Sequence, residues 1–291
     1  MARDARRRLS ATGRESRRKV TVPDPLRVIY SAFRMAMLHW MADPQWVIPN
    51  IIAPFIFTTV ALTLFKDSTG PFGLYAVLGG GMMGMWGNTI YSSGFAIEFE
   101  KWQGTLEEII AAPSKLIHVI TGRAISNAFF GLTNMVAILV IAVFGFRVQL
   151  GIADPLLFAI GLLLTLLSVS ALGLIFASAF VLSRSAQALT NGLEQPLYIV
   201  SGSMFPIALL PFWIHPAAYI LGPTWGIDAI RLATSTDYVS QSFWAGMSPG
   251  VAILLDLAVM TLITFAYVVI AVVLFKFVET RARIGGTLVQ A

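Results

Sequence analysis

The chain has 291 residues, of which 57% are hydrophobic and only 12% are charged. Soluble domains carry about 25% charged residues, so this composition excludes a water-soluble enzyme. The net charge of +5, from 20 Lys and Arg against 15 Asp and Glu, points in so apolar a chain to cationic loops at a membrane and not to nucleic acid.

Residues 1–24 read as a disordered basic cytoplasmic tail near anionic headgroups. They do not read as a signal peptide, because Val22-Pro23-Asp24-Pro25 follows the basic run where an apolar core would stand. Over 25–45, Ile29, Phe33, Met37 and Trp40 recur at helical spacing, with Arg27, Ser31 and Arg34 on other faces. That pattern predicts an amphipathic helix in the cytoplasmic interface, and an ordinary juxtamembrane helix fits it equally.

A spanning helix needs about 20 mostly apolar residues. Six stretches qualify: 47–65, 74–97, 124–146, 155–182, 186–205 and 251–275. The expected fold is therefore an all-α polytopic membrane protein with six transmembrane helices. Its membrane domain covers 46–280, and 281–291 form a cytoplasmic tail. Between the fifth and sixth spans, Pro206, Pro211, Pro216 and Pro223 break an apolar segment. Short re-entrant helices in the outer half of the bilayer fit it better than a seventh span. With both termini cytoplasmic, 17 of the 20 Lys and Arg fall inside, leaving Lys66, Arg147 and Arg231 outside. That asymmetry obeys the positive-inside rule.

Within the spans, Gly79-Gly80-Gly81 and Gly84 suit close helix packing. Met82, Met83, Met85 and Trp86 offer either a soft pathway lining or lipid-facing filler. Glu194 and Asp256 are intramembrane carboxylates. Each charge costs about 2.5–3.5 kcal/mol at a helix centre, so each must face protein or water. A pathway role and a local hydrogen bond both satisfy that demand.

Enzyme chemistry finds no support. Cysteine is absent, and His39, His118 and His215 are dispersed and outside the spans, so no metal site and no catalytic residue is expected. There is no H-E-x-x-H, and no G-x-x-x-x-G-K-[ST] for binding ATP.

The second connection is the one dense acidic cluster, with Glu98, Glu100, Glu107 and Glu108 close together on a face otherwise rich in cations. Gly104 offers a tight bend. Thr105 and Glu108 have the spacing of a capping box, Leu106, Ile109 and Ile110 form an apolar face, and Pro113 ends the element. A short surface helix follows, and it is either a docking element or a solvated loop.

Glu100, Gly104-Thr105-Leu106-Glu107 and Pro113 resemble the intracellular signature of ABC-2-type exporter permeases. A second match, Ser201-Gly202, Phe205-Pro206, Leu210-Pro211, Trp213, Pro216, Tyr219, Pro223 and Arg231, resembles that family's outer segment. Spans, order and length match from about 26 to 280, while Trp102-Gln103 departs from the acidic-basic pair common in the family. The resemblance implies a permease subunit in the bacterial cytoplasmic membrane, working as a homo- or heterodimer with two ATPase subunits that hold ATP and magnesium. This chain would bind no cofactor and no nucleic acid, only partners and membrane lipids. Glu100, Gly104, Thr105, Leu106, Glu107, Glu108 and Pro113 would couple to the ATPase. Phe205, Pro206, Pro211 and Trp213 would shape the outer gate. Trp86, Tyr91, Glu194, Tyr198 and Met204 would line the substrate path. Their apolar character favours a hydrophobic, drug- or lipid-like substrate over the polysaccharides that other members export. A membrane assembly protein without transport activity is the remaining alternative.

Overall fold

A computed structural model describes residues 24–42, 44–64, 76–87, 104, 108, 112, 114, 116–148, 152–181, 186–204, 206–234 and 242–285. Every regular element among them is helical. They are α1 (Pro25–Ala42), α2 (Pro44–Leu64), α3 (76–87), α4 (Leu116–Phe144), α5 (Pro155–Val181), α6 (Ala186–Val200), a single 3-10 turn (Ile207–Leu209), α7 (His215–Ile220), α8 (Gly222–Thr234) and α9 (Pro249–Gly285).

Helix starts follow local chemistry. Helices α1, α2, α5 and α9 open on proline, whose missing N–H is no loss in a first turn. Asp24 Oδ1 accepts from Leu26 N at 3.1 Å, and Asp154 Oδ1 accepts from Leu156 N at 3.1 Å and Leu157 N at 3.0 Å. These are N-caps for otherwise orphan amides.

Among the described residues three helices are long and apolar enough to cross a membrane: Ile117–Phe144, Pro155–Ser178 and Pro249–Phe277. They are the third, fourth and sixth predicted spans. The 21-residue α2 stands where the first is expected, and α3 is the described helical part of the second. Helix α4 starts at Leu116, earlier than the expected 124. At the other end of the chain α9 runs to Gly285, so the tail expected from 281 begins as helix. With 37 residues, α9 is about 55 Å long and outreaches a hydrocarbon core of about 30 Å.

The fifth predicted span, 186–205, is shorter than expected. Helix α6 has 15 residues, about 22 Å, and ends at Val200. It stops there because Gly202 takes φ 76, a left-handed conformation that other residues avoid, and residues 201–204 turn.

Glycine sets the helix contacts. A Cβ at Gly80 would overlap Thr58 of α2, one at Gly81 would overlap Met135 of α4, and one at Gly84 would press on Pro54 at 3.2 Å. The packing reading of the α3 glycines holds. Helix α1 lies along α4, where a Cβ at Gly122 would meet Ala32 Cβ at 2.8 Å. Phe33 meets Phe129 edge-on at 6.5 Å, and Trp40 stacks on Phe130 at 4.8 Å. Ile29, Phe33, Met37 and Trp40 are half-buried while Arg27, Ser31 and Arg34 are exposed, as their spacing requires.

Candidate functional site

The turn that ends α6 is a junction. Ser201 and Ser203 are fully buried and their hydroxyls bond at 2.7 Å. Ser203 O accepts from Arg231 Nη2 at 3.2 Å, and a Cβ at Gly79 would come within 2.8 Å of the same oxygen. Three elements, α3, the turn and α8, therefore meet at one carbonyl. Beside them a continuous apolar cluster holds Met82, Met85 and Trp86 of α3, Tyr198 of α6 and, at its edge, Met204. The indole Nε1 of Trp86 is buried and meets no partner among the described residues.

Past the turn the proline-broken segment folds into pieces, each with a defined role. Pro206 precedes the 3-10 turn, and His215 Nε2 pairs with Leu210 O at 3.0 Å. Pro216 lies in the first turn of α7. The chain breaks at Leu221-Gly222, and Tyr267 of α9 spans the break. Its hydroxyl donates to Ile220 O at 2.6 Å and accepts from Gly222 N at 3.2 Å. Helix α8 then runs between α5 and α9 with 12 of its 13 residues buried. Gly222 and Gly226 make this possible, since a Cβ at either would overlap Ser168 or Thr165 of α5. This is the small-xxx-small spacing of close membrane helices.

Helix α8 also carries charge into the interior. Arg231 is 2% exposed and Asp228 is buried one turn before it. Asp228 Oδ2 accepts from Phe243 N at 3.3 Å, and Asp256 Oδ1 accepts from Trp244 Nε1 at 2.7 Å. Asp228 and Asp256 are both buried, and their donors, Phe243 and Trp244, are adjacent in the chain. Aromatic rings close over this group. Trp225 and Phe243 are 4.4 Å apart, Tyr219 and Phe243 5.3 Å, and Trp225 and Trp244 6.1 Å.

Residues 27–234, from α1 to the end of α8, match the model of the ABC-2 type transporter family. The chain belongs to that family. A curated relative of this ABC-2 domain, ABC transporter G family member 20 of Dictyostelium discoideum, is 27% identical over 132 residues. The match takes in 45% of this chain and 18% of that protein, so it corresponds to under a fifth of the relative's length.

Of the residues expected to matter in this ABC-2 domain, the structure brings Trp86, Tyr198 and Met204 into one cluster. Glu194 lies on α6, with its side chain outside the described set. Tyr91 and Phe205 fall outside the described residues, as do Glu100, Thr105, Leu106, Glu107 and Pro113. Gly104 is exposed, turns with φ 70 and has open space around it. Glu108 is helical and exposed, and Ala112 N donates to its carbonyl at 2.9 Å. Of the expected gate residues, Pro206 is buried while Pro211 and Trp213 are exposed.

Arg231 lies inside the protein, where its Nη2 donates to Ser203 O. Asp256 meets its need for a partner through a local hydrogen bond, accepting from the Trp244 indole at 0% exposure. Sequence reasoning missed Asp228 and Trp244. The Gly222-x-x-x-Gly226 pair was the available sign that α8 packs closely.

Proposed function

We propose that this chain is the permease subunit of an ATP-driven exporter in the bacterial cytoplasmic membrane. It would have six spans and cytoplasmic termini, and would pair with a second permease chain and two ATPase subunits that hold ATP and magnesium. Membership of the ABC-2 family over 27–234 carries this reading. It is supported by Gly104, which is exposed in a left-handed conformation, and by the exposed Glu108, a residue that could face a soluble partner. Closure of the ATPase pair on bound ATP would push the 100–113 segment as a lever and tilt the attached spans.

The substrate in this reading is hydrophobic or amphipathic. The cluster of Met82, Met85, Trp86, Tyr198 and Met204 is apolar and adaptable, and Trp86 Nε1, which meets no partner among the described residues, is one donor that a substrate's polar group would meet when the spans part. Export measured in vesicles, beside co-purification of the ATPase, tests the reading. Glu107→Ala and Gly104→Ala should abolish substrate-coupled ATP hydrolysis while the chain still folds. At Gly104 the alanine costs about 1–2 kcal/mol in its left-handed conformation. Unchanged export in Glu107→Ala would overturn the coupling assignment.

A further inference from the structure

The apolar stripe of α1 is occupied by protein. Ile29, Phe33, Met37 and Trp40 are half-buried, and that side of the helix packs on α4, with Phe33 against Phe129 and Trp40 on Phe130. What α1 turns outward is a second stripe. Arg27, Tyr30, Arg34, Leu38 and Met41 follow one another at steps of three and four residues, so they share one face, and all five are exposed. Tyr30 is 64% exposed and Met41 80%.

That mixture suits neither bulk phase. Water would hydrate three large apolar side chains, and hydrocarbon would strip two guanidinium groups of theirs. A bilayer surface serves both, with phosphate for the arginines and the acyl edge for the rest. Helix α1 lies at that level. The apolar stretch of α4, Ile117–Phe144, has 28 residues and is about 42 Å long, against a hydrocarbon core of about 30 Å. With Phe144 at one surface the other falls near residue 124, beside Arg123, the only Lys or Arg of that stretch. Helix α1 meets α4 on both sides of this level, at Gly122 and at Phe129 and Phe130. Charge selects the kind of lipid. Residues 1–34 hold ten Lys and Arg against three Asp and Glu, a net +7 where the whole chain has +5.

We propose that the outward stripe of α1 is a binding site for anionic phospholipid. Arg27 and Arg34, two turns and about 10 Å apart, each pair with a headgroup phosphate, while Tyr30, Leu38 and Met41 seat at the acyl edge. The face that meets lipid is thus the arginine-bearing one, because α4 has taken the other. The site stands independently of the exporter reading, since it needs only α1 on α4 in a bilayer.

The full-length chain has no cysteine, so Ser31→Cys, exposed beside the stripe, takes a single environment-sensitive fluorophore. In nanodiscs containing one part phosphatidylglycerol to about two of phosphatidylcholine, its emission should move to the blue and its quenching by neutral acrylamide should fall, relative to phosphatidylcholine alone. About 1 M NaCl should reverse the difference by screening. Arg27→Gln with Arg34→Gln should abolish it. Equal signals in the two lipids would overturn the proposal. So would a lipid response that persists in the double variant, which would place the attraction in residues 1–24; loss of the ATPase from that variant would then assign the stripe to a protein partner. Leu38→Ser with Met41→Ser tests the apolar members at unchanged charge: the blue shift should shrink, and an undiminished shift would overturn their seating in lipid.

Discussion

Helices α8 and α9 lie side by side and obey opposite rules. Helix α9 is almost wholly apolar across the membrane, yet only 22% of its most hydropathic window is buried in protein. Helix α8 carries Thr224, Asp228, Arg231 and Thr234 and is buried at all but one residue. In water the reverse would hold, with apolar side chains inside and charges out. In lipid, an apolar side chain gains nothing by leaving the hydrocarbon, while a polar group needs a partner that only protein supplies. What decides burial here is therefore the need for hydrogen bonds and not hydrophobicity.

Substitutions break this contrast in a definite order. Arg231→Ala should do most harm, removing a buried cation and leaving Ser203 O without its donor. Loss of one partner from a buried charged group costs about 3–5 kcal/mol. Thermal unfolding in detergent should show it, with Arg231→Lys recovering part. Gly226→Leu comes next, since it drives a side chain into Thr165 and Met260. Overpacking of this kind costs about 1–3 kcal/mol. Gly250→Leu, at a glycine with open space, should be silent in the same assay. Tyr267→Phe removes both bonds that bridge the α7–α8 break, for about 1–3 kcal/mol at 0.5–1.5 each. The smallest effect belongs to α9's outer face. Leu262 is 71% exposed, and Leu262→Ala should change stability by no more than about 0.5 kcal/mol.

Much of the fold was legible because its causes are local. Long apolar runs announced α4, α5 and α9, and the spacing of Ile29, Phe33, Met37 and Trp40 announced α1 and its inward face. The packing role of Gly80, Gly81 and Gly84 could be read from glycine crowding alone. Helix α8 could not be placed that way. Its mixture of charged, small and apolar residues has the pattern of a surface helix, and a charge count sorts Arg231 by loop and not by depth. The bond from Trp244 to Asp256 depends on a turn at 242–248 whose direction no periodicity encodes. The end of α6 at Val200 was also hidden, since an apolar run continues to Phe205 and only the φ of Gly202 stops the helix. At the candidate site, the bend at Gly104 was readable from composition, whereas the meeting of Gly79, Ser203 and Arg231 joins residues far apart in the chain.

Burial of the polar helix α8 inside the membrane domain is the centre of this account, and cysteine reactivity tests it directly because the chain has no cysteine of its own. Single cysteines at Ala229 of α8, at 0% exposure, and at Phe212 of the preceding turn, at 83%, would be treated with a maleimide in detergent. The account predicts that Phe212→Cys is modified in the folded protein and Ala229→Cys only after denaturation. Equal labelling of the two in the folded protein would contradict it.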